Sequence, residues 1–126
     1  LADWLLGRTP ATEAAWLEAC KADPRAIALS LVSLQNLDLA ALPARAQAPC
    51  LIVHGLDDPA VSPMPAEQAA TLPEAAHAIP LEACGHFPML DDPSRFNRLL
   101  MDFLSLPSGA SPRQLQLKEE WKRRVR

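Results

Sequence analysis

Residues 50–63 read CLIVHGLDDPAVSP, and the fold turns on how this stretch is read. Its opening, CLIVH, is a short continuous apolar run with β-branched side chains, closed by Gly55. A run of that length fits a strand buried on both faces, as in a parallel sheet. The prolines that follow in DDPAVSPMP break any periodic structure and mark a loop. AEQAATLP (66–73) is a short helix, and AHAIPLEACG (76–85) is a second strand, with Pro80 favouring an edge position. Asp92 can cap and Pro93 suits the first helical position. SRFNRLLMDFL then places Phe96, Leu99, Leu100, Phe103 and Leu104 on one apolar stripe. Strand, helix, strand, helix in this order is a βαβα unit with a right-handed crossover and parallel strands. The expected fold class is α/β.

Working outward, residues 1–36 read as two helices. Thr9 and Pro10 open the first, with Trp16, Leu17 and Cys20 on one side. Asp23 and Pro24 open the second, where Ile27, Leu31 and Leu34 recur at helical spacing. NLDLAALPARAQAP is a connector. Beyond residue 106 the charge changes: residues 1–112 carry 6 basic and 13 acidic side chains, residues 113–126 carry 6 basic and 2 acidic. The tail reads as a solvated or frayed terminal helix, the alternative being docking on an anionic surface, nucleic acid or a partner.

Chemistry in open parallel sheets gathers at the carboxyl ends of strands. Asp57 and Asp58 follow the first strand and His86 follows the second. A neutral imidazole takes a proton from a nucleophile when a carboxylate fixes its tautomer and stabilises the imidazolium. Each residue also has a plain reading: aspartates in a GLDDP turn cap their own loop, and a lone histidine is often a satisfied surface residue. Their joint placement on consecutive strand ends favours the functional one. His54 is read as structural and His77 as a strand or surface residue. A metal site from His54, Asp58 and His86 is chemically conceivable, and Cys84 reads as a core or supporting thiol.

APCLIVHGLDDPAVSP, a short helix, then ACGHFPMLDDPSRFNRLLMDFL resembles the C-terminal part of an α/β-hydrolase, over roughly residues 42–106. In that family the acid follows a late strand as G-x-x-D-x-x-V-x-P, and the histidine follows the last strand as G-H. The first pattern starts at Gly55 and lands on Asp58 rather than Asp57; the second lands on His86. The resemblance implies that Asp58 and His86 are the acid and base of a nucleophile–His–Asp triad. It places Val61, Phe87 and Pro88 where a pocket lining is expected, though packing explains them equally well, and it calls for no cofactor and no metal. The expected fold is a partial α/β-hydrolase sheet, its last two parallel strands with their helices, preceded by cap-like helices. It divides into 1–41 (cap-like), 42–106 (hydrolase domain) and 107–126 (basic tail).

The family's nucleophile stands upstream in a G-x-S-x-G elbow. None of the serines at 30, 33, 62, 94, 105, 108 and 111 lies in one. The resemblance therefore implies a C-terminal fragment of an enzyme that cleaves an ester or related bond in a small molecule. Whether the nucleophile is serine or aspartate stays open. A non-catalytic, hydrolase-like interaction module is the alternative.

The composition agrees with one domain at most: 126 residues, 49% apolar, 21% charged, net charge −3. No apolar run approaches the roughly 18–20 residues of a membrane span. Cys20, Cys50 and Cys84 share no C-x-x-C spacing and read as free thiols, so a cytoplasmic location is the expectation. A start at Leu1 suggests that the native N-terminus lies elsewhere. An incomplete sheet would leave an apolar edge uncovered, so self-association is expected as well.

Overall fold

The structure is a computed structural model, and it describes residues 2–38, 41 and 48–115. Three helices come first: α1 (Ala2–Leu6), α2 (Glu13–Ala19) and α3 (Pro24–Gln35). The sheet unit follows as β1 (Cys50–Gly55), α4 (Ala66–Ala70), β2 (Ala76–Leu81), α5 (Pro88–Asp91) and α6 (Pro93–Leu104), closed by a 3₁₀ turn at Pro112–Gln114.

The sheet unit follows the expected order. β1 and β2 are parallel and in register, Cys50 beside Ala76 and His54 beside Pro80. The Cys50 N–H donates to the Ala75 carbonyl at 2.7 Å and the Leu56 N–H to the Leu81 carbonyl at 3.0 Å, so both ends of the ladder are closed. Odd-numbered side chains of both strands face α6. Ile79, Leu81, Cys84, Leu99 and Leu115 form the core, with Leu51, Val53, Phe103 and Leu106 packed against it. Even-numbered positions face the other way. Ile52, His54, Ala78 and Pro80 line a groove of about 640 Å³, walled opposite by Val61–Pro65 and α4.

The structure corrects several details. β1, expected to be buried on both faces, is only half-buried up to Gly55. Among the described residues β2 alone flanks it, and neither face is fully covered: Leu51 and Val53 are half-buried, as are Ile52 and His54. α6 starts as expected, with the Asp92 side chain accepting the Arg95 N–H at 3.0 Å. Its stripe is narrower than predicted: Leu99 is 1% exposed, Leu100 39% and Leu104 67%. At about 100° per residue Phe96, Leu99 and Phe103 share a narrow arc, while Leu100 and Leu104 fall on its flank. Pro112 and Leu115, in the segment read as tail, are buried. The Ser111 hydroxyl donates to the Glu74 carbonyl at 3.0 Å, and Arg113 reaches the Leu72 carbonyl.

In the N-terminal segment three helices stand where two were expected, and α2 begins after Thr12 rather than at Pro10. The Thr12 N–H donates to the Thr9 hydroxyl at 3.2 Å, and the Thr9 N–H donates to the Thr12 hydroxyl at 3.0 Å. This reciprocal pair is a capping box, so Thr9 caps as expected; residues 10–12 form a turn that runs into α2, whose regular helical hydrogen bonding is assigned from Glu13. α1 is tied to α2 by the Trp16 indole N–H, which donates to Asp3 Oδ1 at 2.8 Å, and the Arg8 guanidinium lies 4.2 Å from the Trp16 ring centroid. Asp23 caps α3 as predicted, accepting the Arg25 N–H at 2.8 Å. Of the α3 stripe, Ile27 is half-buried while Leu31 and Leu34 are 57% and 46% exposed. Residues 116–126, the larger part of the expected basic tail (107–126), lie outside the described residues.

Candidate active site

Two loops meet at the carboxyl ends of β1 and β2, held together by backbone. The Asp57 N–H donates to the Cys84 carbonyl at 2.9 Å. A Cβ at Gly55 would stand 2.1 Å from the Gly85 carbonyl oxygen and 2.4 Å from that of Cys84. Only glycine permits this approach, which is the physical reason that a glycine ends the strand.

After β1 the chain folds back on the Asp58 side chain. Asp58 Oδ1 accepts the N–H groups of Ala60 at 2.8 Å and Val61 at 3.1 Å. Its Oδ2 lies 2.8 Å from His86 Nδ1. Burial pushes the Asp58 carboxyl up, but the hydrogen bonds from Ala60, His86 and Val61 outweigh it and hold the group below the usual carboxylate range. An ionised carboxylate can only accept, so the imidazole carries its proton on Nδ1 and its lone pair on Nε2. Asp58, not Asp57, makes this contact; the Asp57 side chain is exposed.

The loop bearing His86 has its own supports. Ala83 adopts a left-handed φ of 56° as the chain leaves β2. The Gly85 N–H donates to Asp91 Oδ2 at 2.7 Å. Arg95 Nη2 donates to the Glu82 carbonyl at 2.6 Å and to Cys84 Sγ at 3.0 Å, and its Nε lies 3.3 Å from Asp92 Oδ2. Phe87 meets the His86 ring edge-on at 4.8 Å. Burial pushes the Cys84 thiol up, only partly opposed by Arg95, so Cys84 is a neutral core thiol.

One residue read as purely structural belongs to the site. His54 Nε2 is 3.0 Å from the Val61 carbonyl and 3.9 Å from Asp58 Oδ2. The one available signal was its position directly before Gly55. Asp91 and Arg95 were also missed as supports, because their contacts depend on how α5 and α6 fold back on the loop. Val53, His54, Gly55, Asp58, Val61, His86 and Pro88 surround a cleft of about 190 Å³. His77 stands on β2 beside Leu51, away from this cleft. Among the described residues no group of three or more His, Cys, Asp or Glu is arranged to hold a metal ion, and no helix is long and apolar enough to cross a membrane.

The architecture is that of an α/β protein whose consecutive strand ends bring an acid and an imidazole together. The chain belongs to the alpha/beta hydrolase family, whose model matches residues 1–99, from the N-terminal helices into α6. No curated protein and no solved structure matches it.

Proposed function

We propose that this chain supplies the acid–base half of a hydrolase triad, with His86 as general base and Asp58 as its orienting carboxylate. The observation that carries the reading is the 2.8 Å contact between Asp58 Oδ2 and His86 Nδ1 across a gap of 28 residues. It fixes the tautomer in which Nε2 can accept a proton. His86 takes that proton from the nucleophile as the nucleophile attacks an ester or related bond, then returns it to the leaving group. The attacking group comes from outside residues 1–126, since no serine here lies in a G-x-S-x-G elbow. If it is an aspartate, His86 instead activates the water that resolves the covalent ester.

The test uses the polypeptide in which these residues follow a nucleophile elbow, assayed on a p-nitrophenyl ester. Asp58→Asn should lower kcat by about 10⁴-fold, the loss known for the corresponding change in a serine protease. His86→Ala should abolish turnover above background. Variants as active as the parent would overturn the reading and leave a hydrolase-like interaction module in its place. Residues 1–126 alone should show no turnover.

A further inference from the structure

We propose that His54 is a positioning residue for Asp58, acting through the backbone of Val61. The inference rests on the reading of Asp58 and His86 as an acid–base pair. Both backbone polar groups of Val61, in the two successive peptides that flank its Cα, are engaged. Its N–H donates to Asp58 Oδ1 at 3.1 Å, and its carbonyl lies 3.0 Å from His54 Nε2. A carbonyl can only accept, so His54 carries its proton on Nε2 and donates it there. His54 sits on β1, whose ladder with β2 is closed at both ends, so the donor stands on the most constrained part of this unit.

The turn is closed from within by the Ala60 N–H, which also donates to Asp58 Oδ1 at 2.8 Å, and by the Asp58 N–H, which donates to the Gly55 carbonyl at 3.2 Å; His54 adds the side-chain bond that ties its far end to β1. Pro59 and Ala60 are exposed and Val61 is 50% exposed, so packing does not set their positions. Hydrogen bonds do. Asp58 Oδ1 fastens to the turn, the turn fastens to His54, and the orientation of Oδ2 toward His86 follows. At 3.9 Å from Asp58 Oδ2, His54 Nε2 is beyond hydrogen-bond range of that oxygen. It therefore steadies the carboxylate without competing with His86 for it.

The test is nuclear magnetic resonance of the labelled 126-residue chain, reading exchange of the His86 Nδ1 proton with water. Asp58→Ala provides the reference for a lost acceptor. His54→Leu removes the donor and should quicken exchange about tenfold, the equivalent of one net hydrogen bond. His54→Gln restores an N–H donor of similar reach and should stay within about twofold of the parent. Unchanged exchange in His54→Leu overturns the inference, and so does a Gln variant as fast as Leu, which would mean that ring packing matters and donation does not. If His54→Leu does not fold, His54→Met takes its place; failure of both to fold while His54→Gln folds normally gives His54 a role in the strand and overturns the positioning role. The readout involves no turnover. Full ester hydrolysis by Asp58→Asn would defeat the triad reading whatever the His54 variants show, whereas unchanged His86 exchange defeats this inference alone.

Discussion

Residues 2–38 and residues 48–115 are both well supplied with hydrogen bonds, but they spend them differently. In the first region the side-chain bonds stay local, the longest joining Trp16 to Asp3 across 13 residues. In the second they span 28 residues from Asp58 to His86, 37 from Ser111 to Glu74 and 41 from Arg113 to Leu72. Burial divides the same way. The entire core cluster lies in the second region, while α3 holds Leu29 at 69%, Leu31 at 57% and Val32 at 56% exposure. Caps and turns suffice to shape a helix; a site that joins distant residues needs a core beneath it. The N-terminal helices are shaped, and the sheet unit is anchored.

The comparison breaks most readily at the core. Leu99→Ala should lower the unfolding free energy by about 3 kcal/mol, within the range for a buried leucine, as measured by urea titration. A cost below about 1 kcal/mol would mean that Leu99 is not the keystone of the sheet unit. Gly55→Ala comes next, at about 2–3 kcal/mol, because the added methyl meets backbone carbonyls that cannot swing aside. Gly7 offers the contrast. A Cβ there meets nothing within 4 Å, so Gly7→Ala carries only the strain of its left-handed φ of 64°, about 1 kcal/mol.

The acid dependence of stability sharpens the same contrast. The Asp58 carboxyl is held below its ordinary range in the folded chain, so in the unfolded chain it binds a proton more readily. Its contribution is complete above the unfolded value of about 4 and drains away as pH falls through the folded one. Urea midpoints should therefore decline below about pH 4, and Asp58→Asn should flatten that decline. An unaltered slope would show that other carboxylates carry the acid sensitivity. The smallest effect belongs to the first region: Leu29→Ala should stay within about 0.5 kcal/mol of the parent, as for a surface position.

Much of this was legible in the sequence. The CLIVH run, the glycine that ends it, the Asp-Pro starts of α3 and α6, and the order strand–helix–strand–helix are local signals, and local signals survive in one dimension. The resemblance to the family's G-x-x-D pattern was what preferred Asp58 to Asp57 as the partner of His86. Other features were hidden because their causes are not local. Nothing in the identity of Leu115 says that it folds back onto β2, and Ala83 gives no warning of a positive φ. The donation from His54 to Val61 exists only once the 58–61 turn has closed. The half-buried state of β1 was misread for a related reason: an apolar run records what a strand is suited to be covered by, not what the described chain places against it.

Pro80 gives the sheet a direction of growth. The carbonyls of Ala75 and Leu81 both point toward β1, so by alternation residues 76, 78 and 80 turn their peptide groups outward. On that outer side the Ala76 N–H is already given to the Pro73 carbonyl at 2.8 Å, and Pro80 has no N–H to give. Ala78 is left as the single donor on that side of β2, too few to template another strand. β1 is the opposite case. Cys50 and Leu56 spend their N–H groups on β2, so Leu51, Val53 and Gly55 face outward with no proline among them. The outer edge of β1 is therefore the better template for a further strand, while Pro80 and the Ala76–Pro73 bond together blunt the outer edge of β2.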